Sequence, residues 1–423
     1  MSRQLLFVVL AAVSVSLAGA LGGCTAGHYT VESRYAVDDP QFARTMGNLL
    51  GPPIVAGNEV VTLVNGDQIF PAMLDAIRSA RTSITFETFI FWSGDIGHQF
   101  TEAIAERAAA GVKVHIIIDV VGSKTIDAAF MDRLTKAGAE VELYHTFKLF
   151  QAVDSARKLN NRTHRKLLVV DGTVAFTGGV GIADEWSGNA QDPRHWRDNH
   201  YQVRGPVVAQ LQAAFMDDWM ESTGEVLHDG TYFPPLAPAG SLQAQLFKSS
   251  FRGGNDSMHL MYLLSFAASR RSIRLATPYF LPDDTTIATL LAARERGVEI
   301  DIILPGEHID DRFVRHASRS SWGDLLRAGV RIYEYQPTMY HVKLMIVDDL
   351  WCSVGSSNLD PRSFGINCEA NLNVLDAAFA GEQTRLFEDD MSRCKEITYD
   401  EWNSRGLGER LWEIFVWPFR SQM

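Results

Sequence analysis

The chain contains two copies of one short pattern, and this duplication limits the folds that it can adopt. The pattern is a His, a Lys two residues later and an Asp five residues after the Lys, as in THRKLLVVDG and YHVKLMIVDD. The copies consist of His164, Lys166 and Asp171, and of His341, Lys343 and Asp348. A glycine follows each Asp seven residues later, in FTGGVGIADEW and in SVGSSNLDPRSF. A single copy would be a weak motif, whereas two copies with the same trailing glycine indicate an internal duplication.

The order of the predicted elements supports the duplication. In the first half, predicted strands alternate with helices, and Asp67 is predicted to cap the first helix: strand 60–64, helix 67–80, strand 83–91, helix 95–110 and strand 111–119. The same alternation returns later: helix 256–269, strand 271–280, helix 283–296, strand 297–304, helix 310–327 and strand 330–335. A repeat of this length is too long for a solenoid, so we expect two similar α/β halves that face one another.

Composition and charge narrow the class of protein. The 423 residues are 46% hydrophobic and 21% charged, which is enough for a large core and two domains. The halves are expected at 58–227 and 242–423, joined by a linker at 228–241 that is rich in Pro and Gly. The formal charge of −12 argues against a duplex-binding protein, because such proteins are usually basic.

The N-terminus predicts export and a membrane tether. Residues 1–23 resemble a secretory signal, since Arg3 precedes an apolar stretch that ends in small residues. The next residue, Cys24, completes a sequence similar to a bacterial lipobox, so it would carry a lipid and begin the mature chain, followed by a linker to residue 57. The alternative is an uncleaved anchor over 5–23, which is just long enough to span a bilayer. Both interpretations predict a domain tethered on the periplasmic side of a bacterial membrane.

The residue types of the repeated pattern suit an anion. Alternate residues of a strand share a face, so His164 and Lys166 should project together. An ammonium group would repel a metal ion but would hold a phosphate, and no HExxH or CxxC pattern occurs, so no metal site is predicted. Asp171 and Asp348 lie at an odd separation from their lysines near the predicted strand ends. We expect them to support the motif's own loop and lysine rather than to touch substrate.

Two histidines around one centre suit phosphodiester chemistry without a metal. One neutral imidazole attacks phosphorus and forms a phosphohistidine, while the other, protonated, gives a proton to the leaving alkoxide. A carboxylate should orient each ring, and Asp198 and Glu369 are the candidates because they occupy equivalent places before a closing strand in the two halves. Ala276 occupies the position of Glu87 in the second half. Glu87 therefore has two possible roles: binding substrate in the first half only, or lying as a carboxylate at the edge of the core.

Beyond residue 57 the chain resembles the phospholipase D superfamily and, within it, bacterial cardiolipin synthases. Besides the two HKD motifs, the segments NGDQIFPAMLDAIRSARTSITFETFIFWSG, NNRTHRKLLVVDG and GSSNLDPRSFGIN are similar to cardiolipin synthase segments. The resemblance implies two phospholipase D-type α/β domains, each a mixed sheet flanked by helices, related by pseudo-twofold symmetry. It also implies that no cofactor is needed.

The resemblance implies a role for each motif residue. His164 is the expected nucleophile and His341 the expected general acid and base. The other roles follow by position: phosphate binding by Lys166, Lys343, Ser356 and Asn358, orientation of the histidines by Asp198 and Glu369, and structural support by Asp171 and Asp348. In the first half Gly179 stands in the place of Ser356, so we expect backbone N–H groups to bind phosphate there. Gly181 replaces the usual Asn, which removes one phosphate or backbone contact.

The expected function is phosphatidyl transfer. A phosphatidyl group would pass from one phospholipid through His164 to a lipid alcohol, making cardiolipin from two phosphatidylglycerols with release of glycerol. The alternatives are hydrolysis to phosphatidic acid through the same intermediate, a nuclease of the superfamily, and a lipid-binding relic without activity. The tether and the negative charge argue against the nuclease, so phospholipids and a membrane surface are the expected partners and nucleic acid is not.

Two segments mix aromatic residues with other types suited to a lipid interface. Residues 145–166 combine Phe with Lys and Arg, and residues 411–419 are rich in Trp and Phe. The first would grip a lipid headgroup or form an ordinary solvated loop, and the second would lie at a membrane surface or pack onto the second half.

Overall fold

The computed structural model describes residues 29–144, 160–250 and 257–406. The predicted signal at 1–23 with Cys24, the segment 411–419 and most of the segment 145–166 lie outside these ranges. Among the residues that the structure describes, no helix combines the length and the apolar character needed to cross a membrane.

Fifteen strands of the described residues form one mixed sheet. The first half contributes β1 Val55–Val64, β2 Ser83–Thr88, β3 Lys113–Asp119, β4 Glu140–Tyr144, β5 Leu167–Val170, β6 Val174–Gly178 and β7 Asn199–Arg204. The second half contributes β8 Leu242–Ser249, β9 Ser272–Ala276, β10 Glu299–Pro305, β11 Arg331–Tyr335, β12 Leu344–Val347, β13 Trp351–Gly355, β14 Glu369–Leu375 and β15 Cys394–Ile397.

Helices precede the sheet and connect its strands. In the first half they are α1 Pro40–Thr45, α2 Asn65–Ser79, α3 Asp95–Ala109, α4 Ala128–Lys136 and α5 Val208–Thr223. In the second half they are α6 Ser257–Ala268, α7 Asp284–Glu295, α8 Arg312–Ser320, α9 Trp322–Arg327, α10 Pro361–Gly365, α11 Ala377–Met391 and α12 Tyr399–Asn403.

The strand order repeats outward from the centre of the sheet. Counted from the antiparallel pair β1 and β8, the first half runs β1, β7, β6, β5, β2, β3, β4 and the second runs β8, β14, β13, β12, β9, β10, β11, with β15 added at its edge. In both halves the strands β2 to β4 and β9 to β11 are parallel and the inner strands are antiparallel. The predicted fold class is therefore confirmed. The division at 58–227 and 242–423 stays a prediction.

Two predicted helices differ from the structure. The helix that follows β1 begins at Asn65, and Asp67 lies in its first turn instead of capping it. The side chain of Gln68 accepts from Val64 N at 3.0 Å and so closes this end of the helix. The helix predicted at 310–327 is divided into α8 and α9 at Ser321, whose hydroxyl donates back to Ser318 O at 2.8 Å. Such a side-chain bond competes with regular helical bonding.

A buried core shared by both halves positions the motif strands. Leu167 and Val169 of β5 pack in the same apolar cluster as Leu344 and Ile346 of β12. The alternate residues of β5, such as Leu168, pack in a separate cluster of the first half. Because side chains of a strand alternate between faces, β5 is buried on both sides and its N-terminal end is held rigidly.

Candidate functional site

The motif histidines and lysines lie in extended segments immediately before two equivalent strands. The strands β5 and β12 begin one residue after Lys166 and Lys343, so the His and Lys of each motif precede the strand in which we expected them. Isolated bridges join these segments to the other half of the molecule: Thr163 pairs with Cys368, and Arg197 pairs with Tyr340.

These bridges place each histidine beside a carboxylate of the opposite half. His164 N donates to Cys368 O at 2.9 Å, and His341 N donates to Arg197 O at 2.8 Å. Each acceptor residue immediately precedes the predicted orienting carboxylate of its own half. These backbone hydrogen bonds alone therefore place each histidine next to the carboxylate of the opposite half.

Both imidazoles are bonded through Nδ1. His164 Nδ1 lies 3.0 Å from each carboxylate oxygen of Glu369, and His341 Nδ1 lies 2.7 Å from Asp198 Oδ2. Both carboxylates are fully buried. A neutral ring that donates from Nδ1 to a carboxylate has its lone pair on Nε2, which is the atom that a nucleophile or base needs.

The two orienting carboxylates have different surroundings. Glu369 accepts from Ser356 Oγ at 2.5 Å and from Ser363 Oγ at 2.8 Å. Asp198 accepts from Trp186 Nε1 at 3.0 Å and from Asn199 N at 2.8 Å. Ser356 was predicted to bind phosphate, but its hydroxyl donates to Glu369, because this carboxylate reaches toward the trailing motif of its own half.

The glycines of the first trailing motif are explained by close neighbours. A Cβ on Gly179 would lie 2.4 Å from Asp198 Oδ1, and a Cβ on Gly181 would lie 2.8 Å from Ile90 Cβ. Gly179 N donates to Asn199 O at 3.2 Å. The first half thus has no room for a serine or asparagine at these positions, and the N–H of Gly179 is used within the protein rather than offered to phosphate as predicted.

Asn358 lies in the second trailing motif and is 4% exposed. Its backbone N donates to Ser363 Oγ at 3.1 Å, which fixes the main chain. Its buried Oδ1 has no hydrogen-bond partner in the part of the chain that the structure describes. An amide oxygen is an acceptor and cannot bond a phosphate oxygen, so the phosphate-binding role of Asn358 stays a prediction.

The two lysines are buried beside their histidines. Lys166 Nζ donates to His164 O at 2.7 Å and lies 5.5 Å from the centroid of the Phe89 ring. Lys343 Nζ donates to His341 O at 2.9 Å and lies 3.0 Å from each ring nitrogen of the same histidine. An ammonium has three donors, so each lysine keeps capacity for an anion.

Burial lowers the pKa of all four groups. The pKa of His164 falls to about 4 and that of His341 to about 3, so both rings are neutral at pH 7. Burial lowers the pKa of Lys166 to about 7 and that of Lys343 to about 8. The charge of Lys343 acts on His164, and that of Lys166 acts on His341. The two motifs therefore form one electrostatic site.

The orienting carboxylates stay ionised despite their burial. Burial alone would raise the pKa of Asp198, but His341 and Lys343 lower it below its ordinary value. His164 and Lys166 have the same effect on the pKa of Glu369. Each carboxylate is thus available to hold and stabilise a charged imidazole.

The motif aspartates hold the chain before a neighbouring strand. Asp171 accepts from the backbone N of Thr82 at 2.7 Å and of Ser83 at 3.0 Å. Asp348 accepts from the backbone N of Arg271 at 2.7 Å and of Ser272 at 2.9 Å. The predicted support of the motif's own lysine is wrong, because the intervening strand carries each Asp away from its Lys. Both aspartates have left-handed backbones, with φ of 52° and 55°.

The trailing glycine of the repeated pattern has a packing cause that sequence reasoning missed. A Cβ on Gly178 would lie 2.6 Å from His200 Nδ1, and a Cβ on Gly355 would lie 2.7 Å from Asn371 Oδ1. In each half the backbone of the next strand is as close as this side chain, with Asn199 O 2.7 Å from the Cβ on Gly178 and Ala370 O 2.3 Å from the Cβ on Gly355. The equal spacing of the two glycines was the available signal.

Aromatic rings beside the histidines were also missed. The ring centroid of His164 lies 5.2 Å from that of Phe89. The centroid of His341 lies 5.3 Å from that of Trp186 and 5.4 Å from that of Trp196. Within the described ranges no group of three or more His, Cys, Asp or Glu residues is arranged to hold a metal ion.

Comparison with known proteins gives the family. The family described as "Cardiolipin synthase, PLD-like domain" matches residues 73–219 and 263–391. Cardiolipin synthase A of Pseudomonas fluorescens is 35% identical over 358 residues, which cover 85% of this chain and 74% of the relative. Cardiolipin synthase 2 of Bacillus anthracis is 34% identical over 357 residues, which cover 84% of this chain and 69% of the relative.

A solved structure shares the fold. The crystal structure of phosphatidylserine synthase from Haemophilus influenzae Rd KW20 matches 90% of this chain and 99% of that chain, with a TM-score of 0.69 at 14% identity. The family match covers most of the two halves, and it includes both HKD motifs and both orienting carboxylates. The chain therefore belongs to the phospholipase D superfamily, in the family of cardiolipin synthase PLD-like domains.

Proposed function

We propose that this phospholipase D superfamily enzyme makes cardiolipin from two phosphatidylglycerols and releases glycerol. The observation that carries the proposal is the pair of buried motif histidines, each bonded through Nδ1 to a carboxylate of the opposite half. Phosphatidyl transfer needs two imidazoles around one phosphorus atom, and the names of the most similar relatives support cardiolipin as the product.

In this proposal His164 is the nucleophile. Its Nε2 has no hydrogen bond to the protein in the described ranges, whereas Lys343 Nζ lies 3.0 Å from His341 Nε2. The neutral Nε2 of His164 attacks phosphorus, a P–N bond forms and the P–O bond to the glycerol headgroup breaks. The phosphorylated ring keeps its Nδ1–H and becomes cationic, and Glu369 stabilises that charge.

His341 is the proposed acid and base. It donates a proton to the departing glycerol oxygen and later takes a proton from the hydroxyl of the second phosphatidylglycerol, whose oxygen attacks phosphorus as the P–N bond breaks. The phosphodiester is an anion held by Lys166 and Lys343. Its negative charge offsets the lysine charges that lower the pKa of His341, so the substrate itself favours the protonated ring.

Product analysis tests the reaction. Purified full-length protein is incubated with vesicles that contain phosphatidylglycerol labelled in the headgroup or in an acyl chain. Formation of cardiolipin with an equal amount of free glycerol supports the proposal, and phosphatidic acid as the main product would instead assign hydrolysis. His164→Ala serves as the matched control for contaminating activity.

We also propose that the protein is exported and tethered to the membrane through a lipid on Cys24. The support is the sequence of residues 1–23 together with the lipid nature of the proposed substrates. Mass spectrometry of the mature N-terminus tests the modification. A Cys24→Ala variant that is processed and tethered like the wild type would contradict it, and an uncleaved N-terminus would assign the anchor.

A further inference from the structure

Two acidic side chains lie completely buried beneath the segment that carries His164. Glu87 of β2 is 0% exposed, and Asp218 of α5 is 1% exposed. The second half has Ala276 in place of Glu87, so this arrangement belongs to the first half alone. The catalytic steps proposed above use neither group.

The hydrogen bonds around this pair leave one oxygen of each acid without a donor in the described part of the chain. Thr163 Oγ1 donates to Glu87 Oε1 in a short bond. Glu87 Oε2 and Asp218 Oδ2 are buried and receive no donor from the described residues as carboxylates. The two acids act on each other, and two such oxygens can share a hydrogen bond only when one of them carries a proton.

The local charges favour the same protonation state. Arg165 Nη1 lies 3.2 Å from Asp218 Oδ2, and one of its two N–H groups donates to Ala214 O, 2.6 Å away. One guanidinium balances one carboxylate, so a second buried negative charge would be uncompensated. Burial and the neighbouring Asp218 raise the pKa of Glu87 well above its ordinary value.

Among the other titratable groups that face this network, the Tyr144 phenol stays neutral and the Arg165 guanidinium stays charged. Burial raises the pKa of the Tyr144 phenol, on which Asp218 and Cys368 also act. The pKa of Arg165 is raised by Asp218, Cys368 and Glu87 despite its burial, so the guanidinium keeps its charge. The network thus contains one cation, one carboxylate and one neutral acid.

The buried acids Glu87 and Asp218 contact both residues that flank His164. Thr163 bonds to Glu87, and Arg165 pairs with Asp218. Arg165 also reaches the opposite half, where Nη2 donates to Ser249 O at 2.8 Å and Nε donates to the backbone O of Glu369 at 3.3 Å. The position of the His164 ring relative to Glu369 therefore depends on this buried pair.

We propose that Glu87 is a positioning residue that works as a neutral carboxylic acid. Its Oε2–H donates to Asp218 while its Oε1 accepts from Thr163, and the two bonds hold His164 against Glu369. The proposal rests on the nucleophilic role of His164 for its effect on turnover, but the protonation state of Glu87 can be tested without it.

Two substitutions of Glu87 distinguish a neutral carboxylic acid from an ionised carboxylate at this position. In Glu87→Gln the amide N–H replaces the acid O–H and the amide oxygen still accepts from Thr163, so kcat should stay within about twofold of the wild type. Glu87→Leu has similar volume but neither bond, so kcat should fall about tenfold or more with KM nearly unchanged. Equal losses in both variants would show that Glu87 acts as an anion, and full activity of Glu87→Leu would remove the positioning role.

Infrared spectroscopy tests the proton directly. The difference spectrum between full-length wild type and Glu87→Gln at pH 7 should contain the C=O stretch of a protonated carboxylic acid. Absence of this band overturns the inference even if Glu87→Leu fails to fold. If the protein shows this C=O band but transfers no phosphatidyl group, the proposed function is contradicted. The protonated state of Glu87 would still be supported.

Discussion

Glu369 of the second half holds His164 of the first half through both carboxylate oxygens, each 3.0 Å from Nδ1. Asp198 makes the reciprocal contact with His341. Each half therefore supplies a histidine whose orientation depends on the other half. A half expressed alone would contain a complete HKD motif but an imidazole with no orienting carboxylate.

The histidine variants should fail at different steps. We expect His164→Ala to abolish both turnover and the covalent phosphoenzyme, because the attacking atom is lost. His341→Ala should reduce transfer from phosphatidylglycerol by about 10²- to 10⁴-fold, the usual contribution of a general acid. With a nitrophenol leaving group, which needs no proton, His341→Ala should still form phosphoenzyme. Acid-quench and mass spectrometry measure this, and phosphoenzyme in His164→Ala would contradict the assignment.

Each carboxylate orients the histidine of the opposite half, so its substitution should slow the step in which that histidine acts. Glu369→Gln should slow formation of the phosphoenzyme even with an activated leaving group, since it removes the charge that stabilises the phosphorylated His164. Asp198→Asn should spare that step and slow transfer from phosphatidylglycerol, since it acts on His341. Single-turnover kinetics with the two substrates separate these outcomes. The opposite pattern would reverse the roles of the two histidines.

Gly179 should tolerate no side chain. In Gly179→Ala the added Cβ would lie 2.4 Å from Asp198 Oδ1, and overpacking of this kind costs about 1–3 kcal/mol in the free energy of unfolding. Activity should fall as well, because Asp198 must move away from His341. Gly230→Ala is the control, since no atom lies within 4 Å of its added Cβ. Chemical unfolding and turnover are the measurements, and equal behaviour of the two variants would contradict the steric explanation.

The reaction should lose efficiency as pH rises above neutrality. The pKa of Lys166 is about 7 and that of Lys343 is about 8, so both lose their positive charge on the alkaline side. Because the charged lysines hold the phosphodiester, kcat/KM should fall through this range. The bound anion raises both lysine pKa values, so kcat itself should fall only at higher pH. A kcat/KM profile that is flat to pH 9 would contradict the phosphate-binding role.

Stability should depend on pH through Glu87. Its pKa is raised in the folded state, so its contribution is complete below the ordinary pKa of glutamate and is lost as pH rises toward the folded value. Glu87→Gln has no such proton. The melting temperature of the wild type should therefore fall relative to that of Glu87→Gln as pH rises from about 4 upward. Parallel melting curves across this range would show that Glu87 does not take up a proton on folding.

Much of the fold and of the site follows from local sequence patterns. The alternating strands and helices predicted the two α/β halves, and the repeated motif selected His164, Lys166, His341 and Lys343, which the structure brings together. Asp198 and Glu369 were found because duplicated chains keep equivalent positions. These signals are periodic or repeated, so they can be read without knowing which segments meet.

The remaining features depend on contacts between distant segments. Glu369 orients His164 rather than the histidine of its own half because a bridge joins Thr163 to Cys368. The Ser356 hydroxyl donates to Glu369 instead of to phosphate because this carboxylate lies within reach. Position 179 is a glycine because Asp198 lies too close for a side chain. No pattern within one segment carries this information.

Because both halves belong to one polypeptide, a residue in one half can differ from the residue at the equivalent position of the other half. An assembly of two identical subunits would have to present the same residue on both sides of its axis. Here an indole supports Asp198 where a serine hydroxyl supports Glu369, and a buried acid lies under His164 where alanine occupies the corresponding place. A covalently joined pair can thus make one imidazole a better nucleophile and the other a better proton donor, a specialisation that exact symmetry forbids.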